Sequence, residues 1–128
     1  MENVTMKKLM MAAMLAAVAL SSNVYAHGAK PKHGGIVQAA SDLTFELVTS
    51  GDTAKIYVED HGKPFATNGA TGKLTVLNGA GKTETTLQAG SDNTLEAKGV
   101  SKLTSGTKAV ATINFPEKKT VNVRFSVK

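Results

Sequence analysis

The sequence predicts an all-β protein, an antiparallel sandwich or flattened barrel of about seven to eight strands behind a cleaved signal peptide. Three observations predict it. The last two apolar runs alternate with a period of two: Ala109, Ala111, Ile113 and Phe115 share one face, then Val121, Val123, Phe125 and Val127 do the same. Turn residues recur between runs about every 8 to 12 positions, the spacing of a sandwich or barrel. No helical periodicity follows Ala26.

Residues 1–26 read as the leader. Lys7 and Lys8 give a positive start, Leu9 to Leu20 is apolar, and Val24-Tyr25-Ala26 offers a small-x-small cleavage site. The apolar run is shorter than the roughly 20 residues a bilayer span needs. Export to the periplasm is the expectation, with no membrane anchor after processing. Residues 27–35 form a flexible segment rich in His, Gly and Lys, and 36–128 a single domain.

Within that domain the strands follow in order. Ile36-Val37 starts the first. Leu43 to Val48 puts Leu43, Phe45 and Leu47 on one face, and Lys55 to Glu59 puts Ile56 and Val58 inward. The cluster Thr49 to Thr53 joins these two runs as a hairpin. Asp60-His61-Gly62-Lys63-Pro64 breaks the pattern. Lys73 to Leu77 and Lys82 to Leu87 flank Asn78-Gly79, a strong hairpin signal. Thr94 to Lys98 is short, with Leu95 and Ala97 inward, and 99–106 is a loop. Lys108 to Phe115 and Thr120 to Val127 complete the set. A strand with one polar face belongs to an antiparallel sheet wetted on one side.

Composition narrows the function classes. All five methionines lie in the leader and the chain has no cysteine, so the processed protein has neither soft sulfur ligand nor disulfide, and about 100 residues must hold by their core alone. The chain carries a formal charge of +5, of which Lys7, Lys8 and Glu2 leave with the leader. Lysines and acids are mixed throughout, with one tyrosine and four phenylalanines beyond Ala26. Nucleic-acid binding gains no support from that pattern. Gly34-Gly35 and Asn78 to Gly81 precede no helix and read as turns rather than phosphate loops. No serine sits in a nucleophile elbow, and the adjacent Glu59 and Asp60 point apart on a strand. The chain therefore reads as a binding protein, not an enzyme.

The chemistry-bearing residues cluster early. All three histidines, His27, His33 and His61, precede residue 62 and none falls on a core face. Cleavage after Ala26 makes His27 the first residue, with its α-amine and imidazole on one residue as a nitrogen chelate. His33 and His61 are candidates to close the site, and Glu46, Glu59 and Asp60 are candidate accessories. Glu46 lies on the polar face of a strand expected to pair with the Glu59 strand. Nitrogen-rich sites favour copper(II), then nickel or zinc, whereas copper(I) prefers sulfur. The same residues also admit a plain reading, with His27 a mobile terminus, His33 a lead-in to the first strand and His61 an exposed turn residue.

Pro31 to Val37, Leu43 to Val48, Ile56 to Pro64 and Gly69 to Leu74 resemble small exported bacterial proteins. These are similar to the amino-terminal β-domain of periplasmic adaptor subunits of heavy-metal efflux pumps. The resemblance covers roughly residues 31–74 and implies metal handling near such a system. A whole adaptor needs a long helical hairpin, which this chain lacks. The alternative is an envelope interaction module without metal, docking by a sheet edge or by the 99–106 loop on an adaptor or another envelope protein. A copper oxygenase with an amino-terminal His brace would use the same ligands, but the short chain is poor in aromatics for a polymer-binding face.

Overall fold

Alternating side chains and two-residue turns decide this architecture. The computed structural model describes residues 30–100, 103–117 and 119–128, so the leader and His27 lie outside it. Nine strands follow in order: β1 (Ile36–Ala40), β2 (Leu43–Ser50), β3 (Thr53–Asp60), β4 (Lys63–Pro64), β5 (Thr71–Asn78), β6 (Gly81–Ala89), β7 (Thr94–Lys98), β8 (Lys108–Phe115) and β9 (Lys119–Ser126). All pair antiparallel in one sheet of order β1-β2-β3-β7-β6-β5-β8-β9, with β4 added to β3. The two ends of that order, β1 and β9, come side by side, which curls the sheet into a nearly closed barrel. There is no helix among the described residues.

The expected inward faces are the core. Leu43, Phe45, Leu47, Ile56, Val58, Leu95, Ala97, Ala109, Ala111, Ile113, Phe115, Val121, Val123 and Phe125 are buried. Each large aliphatic or aromatic side chain removed from water contributes about 1.5–3 kcal/mol, so this shared face fixes the register of β2, β3, β7, β8 and β9. A one-residue slip would turn it outward. Val127 is the exception, half-buried beyond the end of β9, where it exchanges backbone hydrogen bonds with Gly106 and Thr107.

The turns are tighter than the sequence predicts, and the strands correspondingly longer. Thr49 to Thr53 is not all turn: Ser50 pairs with Thr53 across Gly51-Asp52 alone. Gly51 has φ +61° at the first turn position, where glycine suits a turn matched to strand twist. At Asn78-Gly79, the turn is centred one residue later: Asn78 pairs with Gly81, and Gly79 has φ +60°. Strand β4, unforeseen in the sequence, lies in what reads as a breaker. His61 (φ +51°) and Gly62 (φ +83°) form a left-handed two-residue turn, so Asp60 pairs with Lys63 and Glu59 with Pro64. Pro64 is tolerated there because β4 is an edge that spends no N–H on a further strand.

Candidate functional site

The outer face of the β2–β3 hairpin carries the polar side chains that matter. Its register sets Glu46 opposite Tyr57 and Thr44 opposite Glu59, with Val37 of β1 on the other flank of Glu46. Alternation alone would leave Glu46 in water. Instead it is only 5% exposed, because residues 32–35 fold back over it as a strap.

Two glycines allow that path for different reasons. Gly34 has φ +72° with open space around it, so its need is conformational. Gly35 lies against β2, where a Cβ would stand 2.3 Å from the Leu47 carbonyl oxygen and 2.7 Å from Val48 Cγ2. Only a residue without a side chain fits.

The strap is tied to one carboxylate. Glu46 Oε1 accepts from the Lys32 N–H at 3.0 Å and lies 3.1 Å from His33 Nδ1. Oε2 accepts from the N–H groups of His33 and Gly35, both at 2.8 Å. Burying a bare carboxylate costs several kcal/mol, and hydrogen bonds to a charged group return about 1.5–3 kcal/mol each. The bonds win. Burial pushes the Glu46 carboxyl up, while the Gly35 N–H, the His33 ring and the N–H groups of His33 and Lys32 together hold it below its ordinary value.

Three further contacts fix the strap's side chains. The His33 ring lies flat on Tyr57, centroids 3.6 Å apart and planes 3° from parallel. Lys32 Nζ reaches Glu59 Oε2 at 2.7 Å and the Gly62 carbonyl at 3.3 Å. An exposed ion pair of this kind is worth about 0–1 kcal/mol, so its importance is geometric: it ties the strap to the β3–β4 turn. At that turn His61 is 85% exposed, with Nδ1 2.6 Å from Asp60 Oδ1.

The candidates thus fall into two neighbouring groups. His33 and Glu46 share a hydrogen bond, Glu59 joins them through Lys32, and Asp60 with His61 forms a separate pair at the hairpin tip. His27 lies outside the described residues. Among the described residues, no three His, Asp or Glu side chains surround one point in a metal-holding arrangement. Tyr57 and Lys32 were not singled out by the sequence, and Gly35 was read there only as part of a turn. The signal for Tyr57 was present, since a two-residue turn at Gly51-Asp52 counts it opposite Glu46.

Two cavities lie elsewhere. One of about 330 Å³ takes Asp60, Phe65, Phe115, Glu117 and Lys119 into its wall. Another, of about 320 Å³, is lined by Val76, Thr83, Thr85, Val100, Leu103 and Thr107 among others, with no ionisable side chain on its wall. It offers hydroxyls and apolar surface but nothing for a cation. No family model matches the chain, and no curated protein or solved structure matches it.

Proposed function

We propose that the chain is an exported, periplasmic metal-binding protein, a buffer or chaperone for copper(II) or a related divalent ion such as zinc or nickel. Its role is binding rather than catalysis, and the likeness of residues 31–74 to efflux-adaptor β-domains suggests work beside a heavy-metal efflux system. One observation carries this reading: residues 32–35 are docked on Glu46, with Lys32 reaching the turn that bears His61. A histidine-bearing segment is thereby held against the sheet, and its lysine reaches the turn that carries a second histidine. His27 precedes Lys32 by five positions and lies outside the described residues. Its amine and imidazole are proposed as the first ligands.

Nitrogen donors of this kind, without thiolate or thioether, suit copper(II) before zinc. Binding must weaken as imidazoles take up protons, because a protonated ring has no lone pair to give. The test is a copper(II) titration of the processed protein, followed by intact mass, beside a variant with His27, His33 and His61 all replaced by alanine. One ion per wild-type chain is expected, and none on the triple variant. Equal binding by both would overturn the reading, as would a processed chain that takes up no ion.

A further inference from the structure

We propose that Glu46 is the positioning residue of a metal-ligating histidine: it holds His33 as the Nδ1–H tautomer and so leaves Nε2 as the ligating nitrogen. This rests on the metal-binding reading above and says which atom does the binding.

The assignment follows from the partners of one carboxylate. An ionised carboxylate can only accept hydrogen bonds. Three of the four groups around Glu46 are backbone N–H donors, the setting in which a carboxylate stays ionised. The fourth contact, His33 Nδ1 at 3.1 Å, must then bring its own proton. A neutral imidazole with a proton on Nδ1 keeps its lone pair on Nε2. A metal-bound histidine characteristically gives its other N–H to a carboxylate, which fixes the tautomer and strengthens the ligand.

The ring is oriented by two independent constraints. Stacking on Tyr57 sets its plane. The bond to Glu46 sets its rotation within that plane. Meanwhile Glu46 has no oxygen to spare: Oε1 and Oε2 each serve two contacts, matching the roughly four acceptor sites of a carboxylate. It cannot ligate without releasing the strap. Asp60, half-exposed at the hairpin tip, has no such obligation. Glu46 therefore acts through His33, which offers Nε2 to the metal.

The experiment is ¹⁵N NMR of the histidine rings, with and without zinc(II), on wild type, Glu46→Gln, Tyr57→Phe and Tyr57→Ala. In metal-free wild type the His33 proton is expected on Nδ1. Zinc should move the Nε2 resonance and leave Nδ1–H in place. In Glu46→Gln the amide oxygen can serve the His33 and Gly35 N–H groups, while its NH₂ donates to Nδ1. The proton should then shift to Nε2 and zinc affinity fall about 10- to 100-fold. Tyr57→Phe should keep tautomer and affinity. Tyr57→Ala should keep the tautomer and lose affinity. A proton on Nε2 in wild type overturns the inference even if no variant folds. Zinc bound equally by wild type and a folded Glu46→Gln overturns it too, leaving the metal reading intact. A wild type that takes up neither zinc(II) nor copper(II) removes both.

Discussion

His33 and His61 each set Nδ1 against a carboxylate, at 3.1 Å from Glu46 and 2.6 Å from Asp60. The longer contact is the better held. His33 lies on the Tyr57 ring, and its carboxylate is buried and also binds three backbone N–H groups. His61 sits at a hairpin tip, mostly in water, beside a sequence neighbour. Solvent screens the second pair and leaves its side chains free to separate. What anchors a side chain is the number of independent constraints on it, and a single short distance is a poor guide to that number.

The largest expected difference between the two regions comes from removing the carboxylates. Glu46→Ala deletes the acceptor of four contacts and should cost about 2–3 kcal/mol in urea unfolding. Amide exchange should also quicken at Lys32, His33 and Gly35. Asp60→Ala should change little by either measure. Equal losses for the two would break the comparison.

Acid offers a second, smaller test. The Glu46 carboxyl is held below its ordinary value of 4.5. A carboxyl lowered on folding contributes fully above its unfolded value and loses that contribution as the pH falls through the lowered one. The stability gap between wild type and Glu46→Gln, from unfolding curves at several pH values, should be flat above about pH 5 and narrow on further acidification. A gap constant into strong acid would show that the carboxylate charge contributes nothing there.

The smallest effect belongs to the hairpin tip. His61→Asn should stay within about 0.5 kcal/mol of wild type in the same unfolding assay, as surface changes usually do, because asparagine also tolerates a positive φ. A loss as large as that of Glu46→Ala would mean that the tip is anchored in a way its exposure does not suggest.

These two regions also mark what could be read from the residues alone. The inward faces of β2, β3, β8 and β9 were legible because one wet and one dry side impose a period of two. His33 and His61 were legible as candidates by residue type. The burial of Glu46 was not. It depends on Lys32 to Gly35, a stretch without periodicity whose path is set by a positive φ at Gly34 and a backbone approach at Gly35. Tyr57 escaped notice between the core residues Ile56 and Val58, because its partner is fixed only once Gly51-Asp52 is known to be the whole turn. The strand β4 was hidden by its proline and its two-residue length.

Gly35 has one more consequence. Pressed against the Leu47 carbonyl, it is the zero mark of a ruler. The imidazole two residues upstream reaches the phenol ring because the count from that mark is two. Lengthening the link by one residue would carry the imidazole past its platform and leave the barrel untouched. The length of this junction, together with the glycine at its foot, is what the stacked ring depends on.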